Sequence, residues 1–248
     1  MEAIEFDHLH AITSHSNGFA TAAEGNLEAP VTHCPGWNVA DLVRHLTEVH
    51  WFWGTIVDER LTSPPPEERK PTPVPDDELL HVFRAGAGRL VDVLGESDPS
   101  DHVWTWAPGQ QDVAFVSRHQ VQEAAVHHWD AVDAAGGALF IEAPEAADAI
   151  AEFLTFSVSS EADPADPVRP ALDGTFAVQC LDIDAAWTVS DGAIPGTVAV
   201  AAGLADRTPA LAASASDLLL WLYGRVDLAP EPVPPDLLER FRALCFTD

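Results

Sequence analysis

Apolar residues recur every three or four positions through most of the first 160 residues, then give way to shorter alternating stretches. Ile4, Leu9, Ile12, Phe19 and the Ala22–Ala23 pair make a helical pattern over residues 4–24, weakened at Asn17–Gly18. After the turn-rich APVTHCPGW, Asn38 is a good N-cap, with Asp41 three residues on as an approximate capping box. The helix it opens carries Val39, Leu42, Val43, Leu46, Val49 and Trp53 at helical spacing. LTSPPPEERKPTPVPDDE reads as a charged, proline-rich surface linker. A third helix follows over about Asp77–Leu94, and Asp112 caps a fourth that ends near Gly136–Gly137. A further helix opens at Pro144, where proline is tolerated.

The texture changes after EADPADPVRPALDG. GTFAVQCLDI, AAWTVSD and GTVAVAAG are short, β-prone segments between glycines and prolines. Ser214 then caps a helix that Gly224 ends, and PPDLLERFRALCF forms the last. The pattern predicts an α+β chain: a helical bundle over residues 1–160 and a small α+β domain over 161–248.

Composition narrows the possible partners. Twelve basic residues against 40 acidic ones give a formal charge of −28, which repels nucleic acid and anionic lipid alike. There is no apolar run of about 18 residues to span a membrane. MEAIEFDHLH has neither the basic nor the apolar region of a signal peptide, so a cytoplasmic protein is expected. Cys34, Cys180 and Cys245 are far apart and form no CxxC, which argues against a disulfide framework or a cysteine-rich zinc site. Any metal must be held by histidine and carboxylate. No feature demands more than a monomer or weak dimer.

RHQVQEAAVHHWDA, at residues 118–131, puts Glu123 and His127 four apart on one helix face, their Cβ atoms about 6 Å apart. His128 turns a further 100° or so around the helix and is the poorer ligand. Such a pair also occurs on ordinary solvated helices. Here it lies on a ridge of Val116, Gln120, Glu123, His127 and Ala131, with Val113, Val121, Ala125 and Val132 on other faces, so a largely buried helix is expected. His45 is the best third ligand, because it interrupts an apolar surface of Leu42, Leu46, Val49 and Phe52. His8, His10, His15, His33 and His50 fit less well. Two imidazoles and a carboxylate suit a catalytic zinc or another divalent metal, leaving one position open. Cys34 reads as structural, while Trp37, Trp51 and Trp53 read as core and pocket wall. Asp130 either orients a neighbour of the metal or caps a surface turn.

THCPGWNVADLVRHL, followed some eighty residues later by EAAVHHWDA, resembles the mycothiol-dependent maleylpyruvate isomerase family. LDIDAAWTV, ASDLLLWLYGRV and ERFRAL resemble that family's small C-terminal domain. The resemblance implies a DinB-like four-helix bundle with a small C-terminal α+β domain, and it maps the metal ligands onto His45, Glu123 and His127. It also implies that mycothiol, a small thiol of actinobacteria, binds at the open metal position, and that Arg225 faces the active site and holds cofactor or substrate charge. The implied reaction is cis–trans isomerisation of a maleylpyruvate-like 2-oxo acid by reversible thiolate addition. S-transfer of mycothiol to a small anionic or electrophilic substrate is the alternative, and a non-enzymatic metal- or ligand-binding protein is a third. The family often has His before the glutamate and Arg after the ligand histidine. Here Gln122 and His128 stand there.

Overall fold

The computed structural model describes residues 6–107, 109–158 and 169–246. The start of the first sequence-predicted helix, before Phe6, lies outside them. The chain divides into two compact units, one spanning Asp7–Phe140 and one that begins at Ile141. Seven α-helices and one four-stranded sheet are described, so the fold is α+β.

The first unit is a four-helix bundle of the DinB-like kind: α1 (His8–Ala23), α2 (Val39–Asp58), α3 (Asp76–Glu96) and α4 (Val113–Ala134). Local chemistry sets the helix starts. Asn38 Oδ1 accepts from the Asp41 backbone N–H at 3.0 Å and Asp41 Oδ2 from that of Asn38 at 3.1 Å, so the capping box is complete. Asp112 accepts from the Phe115 N–H in the same way and starts α4. Pro75 precedes α3, whose first turn carries Asp76, Asp77 and Glu78 against the positive helix end. Fully buried Ile12, Phe19, Leu42, Leu46, Phe83 and Leu90 fill the interior, with the Phe19 and Phe83 rings 4.9 Å apart. Burying side chains of this size contributes about 1.5–3 kcal/mol each. α1 packs closely on α3 and α4, and α2 on α3; the seam between α2 and α4 is looser. That seam carries the polar residues His45, Glu123 and His127.

Helix α1 runs straight through Asn17–Gly18. A Cβ at Gly18 would stand 2.2 Å from His128 Cε1, so the glycine is the space into which that ring fits. The linker between α2 and α3 is exposed and contains one 3-10 turn, Glu67–Arg69.

In the second unit, α5 (Ala143–Phe156) packs on α6 (Ala215–Leu222). The observed division at Phe140 therefore falls ahead of the boundary expected at residue 160. The sheet has the order β3-β2-β1-β4, with β1 (Thr175–Cys180), β2 (Ala186–Asp191), β3 (Val198–Ala202) and β4 (Ala210–Ala213). β1 runs antiparallel to β2 and parallel to β4. Phe176 meets Phe241 of α7 (Pro235–Arg242) at 5.1 Å, and Trp221 of α6 stacks on the same ring. Ser214 caps α6 by accepting from the Asp217 N–H, and Gly224, at φ 71°, follows its end. No described helix is long and apolar enough to cross a membrane.

Candidate metal centre

The α2–α4 seam brings three side chains to one point. His45 projects from α2, and Glu123 and His127 project from successive turns of α4. His45 Nε2 lies 2.9 Å from Glu123 Oε1, and His127 Nε2 lies 3.6 Å from the same oxygen. The two imidazoles meet edge to face, centroids 5.0 Å apart, and the three ligand atoms all lie within 4.8 Å of one another. Tetrahedral zinc with bonds of about 2.0–2.1 Å sets its ligand atoms roughly 3.4 Å apart. The two distances to Glu123 bracket that value.

The charge states also suit a cation. Burial alone would raise the Glu123 carboxyl, but the His45 hydrogen bond, then the fields of His127, His119 and His45, outweigh it and lower it to about 2. Glu123 is thus a carboxylate at any physiological pH. On the far side of His127, Nδ1–H donates to Asp130 Oδ2 at 2.9 Å, and the Asp130 side chain is fully buried. With Nδ1 committed there, Nε2 is the His127 nitrogen that faces the Glu123 oxygen. At 3.6 Å the nitrogen and the oxygen are too far apart for a direct hydrogen bond and leave room for a shared cation. The carboxylate–histidine pair is the usual outer support of a metal-binding imidazole.

Other groups pack around this core. The Cys34 thiol donates to Asp130 Oδ2 over 4.0 Å, so Cys34, His127 and Asp130 form a second close trio behind the ligands. Trp37 lies against His45 at 5.4 Å between ring centroids and is 38% exposed, leaving this end of the seam open to solvent. Four residues before Glu123, buried His119 sits among Trp53, Trp106 and Phe115. Its Nδ1 accepts from Gln122 Nε2 at 3.0 Å, which leaves the ring proton on Nε2.

Each sequence-predicted residue can now be located. His45, Glu123 and His127 stand together at the α2–α4 seam. His128 points to α1, where its Nδ1 lies 3.0 Å from His15 Nδ1; burial and then His15 lower it to about 4, so it stays neutral. His15, which fitted the ligand set less well, is buried on α1. His50 is buried against Phe83, and burial lowers it to about 4. Arg225 lies in the other unit, just past α6, where Nη1 donates to the Tyr223 carbonyl at 2.8 Å and the guanidinium covers the Tyr223 ring. Sequence reasoning missed His119, although the spacing 119, 123, 127 puts it on the ligand face. It also left Asp130 undecided between orienting a neighbour of the metal and capping a surface turn.

Residues 9–132 match the family model described as the mycothiol maleylpyruvate isomerase N-terminal domain, which spans all four bundle helices as far as Val132. No curated protein and no solved structure matches the chain.

Proposed function

The chain belongs to the mycothiol maleylpyruvate isomerase N-terminal domain family over the half of its length that holds the His45–Glu123–His127 cluster, and from that premise we propose a metal-dependent, mycothiol-using enzyme. The most favoured reaction is cis–trans isomerisation of a maleylpyruvate-like 2-oxo acid. The observation that carries this reading is the His127 ring, fixed by Asp130 so that Nε2 faces an ionised Glu123 with His45 beside it.

His45, Glu123 and His127 would hold the metal, with zinc the ion that best suits two imidazoles and one carboxylate. When bound, it would supply a Lewis-acid position at which a thiol is kept as thiolate, the nucleophilic form. Everything else falls to the chain. Asp130 selects the His127 tautomer and holds the ring in place. Glu123 stays ionised and offsets one of the cation's two charges. Trp37 covers one edge of His45. Arg225 is proposed to receive the substrate carboxylate or the negative charge that builds on its ketone oxygen, a role taken from the family resemblance. Reversible addition of the thiol to a C=C bond conjugated with that ketone lets the former double bond rotate, and loss of the thiol restores it in trans form. The thiol is then not consumed, whereas S-transfer would consume it. A cytoplasmic setting and a small-molecule thiol as partner belong to the same reading.

The test is an NMR time course of zinc-loaded protein with mycothiol and maleylpyruvate. Conversion to the trans isomer at constant thiol concentration is expected, falling about 100-fold or more in Arg225→Ala. Loss of thiol in step with substrate would replace isomerase by transferase. No reaction from a protein that binds both metal and thiol would overturn the enzyme reading.

A further inference from the structure

At His45, the α2 surface and the linker that follows it line an open cavity of about 210 Å³. Its apolar wall is Val49, Trp51, Phe52 and Trp53, one and a half turns of α2 beyond the candidate ligand. The wall is braced from behind: Phe52 meets Trp53 at 5.2 Å and Trp104 at 5.9 Å, and Trp53 stacks on Trp104 at 6.1 Å. The cavity's size suits a planar body of phenyl size with small substituents, laid on the rings with an edge toward solvent.

The charged residues on the same cavity decide what that body carries. Lys70 is the one cation among the described lining residues, and it is already paired: its Nζ lies 2.8 Å from Glu48 and 3.6 Å from Glu67, both of which also line the space. Glu48, Glu67 and Lys70 therefore sum to one negative charge. A divalent ion held by Glu123 and a thiolate adds none, because two positive charges meet two negative ones. The paired Lys70 does not compensate a further carboxylate, whereas the aromatic rings favour an apolar body.

We propose that the cavity beside His45 is the subsite for an uncharged, planar, apolar body of the substrate, so that the preferred electrophile is a 2-oxo-enoate with an aromatic or branched apolar group where maleylpyruvate has its second carboxylate. The proposal rests on the metal–thiol reading above and names the substrate class of that same site. Trp51 and Phe52 set the specificity by area; Lys70 is already paired with Glu48 and Glu67 and does not receive an anion.

Two probes of similar length separate the possibilities by ligand-observed NMR titration of metal-free protein: cinnamate, with a phenyl body and one carboxylate, and trans,trans-muconate, with a carboxylate at each end. Cinnamate is expected to bind about tenfold tighter or better, in proportion to the apolar area it buries. Trp51→Ala and Phe52→Ala should each weaken cinnamate severalfold, while Lys70→Gln changes it less than twofold. Zinc uptake, measured on the same variants, reports that the bundle is intact. With metal and mycothiol present, the cis isomer of benzylidenepyruvate should be converted to trans with a kcat/KM exceeding that for maleylpyruvate by a similar factor. Muconate binding as tightly as cinnamate, or binding that is lost in Lys70→Gln, would overturn the proposal. Cinnamate binding in a protein that takes up no metal would instead overturn the metal–thiol reading and leave the subsite standing.

Discussion

Asp130 decides which nitrogen of His127 is offered to the seam. Its oxygen accepts from Nδ1–H at 2.9 Å and also faces the Cys34 thiol, and its own side chain is fully buried. Asp130→Asn keeps the shape but presents a weaker acceptor, or an N–H that meets the ring's own. Metal affinity should fall about 10- to 100-fold, read by competition with a fluorescent chelator. Unchanged affinity would mean that the ring is held by packing alone. The other two cysteines differ in kind. Burial, then Asp182, raises the Cys180 thiol to about 12, and burial raises Cys245 to about 12 against the pull of Arg242. At pH 8 only about one in 10⁴ of such thiols is ionised, against roughly a quarter of ordinary ones. Iodoacetamide should label both more than a thousandfold more slowly in native than in urea-unfolded protein, as followed by mass spectrometry. Labelling of either at the unfolded rate would contradict the burial. At this scale the sequence was readable where chemistry is local. Glu123 and His127 needed only helical spacing, and His45 was conspicuous among leucines and valines. The His15–His128 contact joins residues 113 positions apart. No local pattern announces it.

Helix α1 depends on a glycine in an unusual way. Gly18→Ala gains about 1 kcal/mol of helix propensity, yet its Cβ would overlap His128 at 2.2 Å. Displacing that ring breaks the His15 contact as well, and the net change is expected to be a loss of about 1–3 kcal/mol. Gly88 on α3 has open space where a Cβ would go. Gly88→Ala should therefore stabilise by about 0.5–1 kcal/mol. Denaturant unfolding of the pair tests this; two substitutions of the same sign would contradict it. Element starts were legible because Asn38, Asp112 and Ser214 each cap a helix with their own side chains. β4 was not. ALAA has neither β-branched residues nor alternation, and it becomes a strand because β1 supplies a parallel partner. The assignment of α5 was hidden for a related reason: its apolar stripe suits any partner, and only the folded chain shows it on α6.

For the whole molecule, acid stability follows from histidines held neutral. His50 is 3% exposed, its Nδ1 has no hydrogen-bond partner, and its pKa is about 4 against an ordinary 6.5. Below pH 6.5 the unfolded chain takes up this proton and the native one does not, so stability falls as pH drops toward 4. The loss from His50 alone approaches about 3 kcal/mol. His128, also lowered to about 4, acts in the same window. Glu123 has the opposite identity and a lower window: its contribution is present above pH 4.5 and fades as pH falls toward 2. Urea midpoints between pH 7 and 4 should fall steadily, and His50→Leu should flatten the slope; an equal slope in that variant would remove His50 as its cause. The overall charge of −28 fits the same picture of a protein whose cations are nearly all engaged, which is why a single paired lysine beside the site carries information about substrate charge.

The measurement that bears most directly on all of this is metal content by plasma mass spectrometry. It needs protein purified without a histidine tag or added metal, beside His45→Ala and His127→Ala. About one zinc, or one other divalent ion, per chain is expected in the wild type and none in either variant, with all three folded alike by circular dichroism. Wild-type protein free of metal even after incubation with zinc, and as stable as both variants, would contradict the metal centre and the thiol chemistry built upon it.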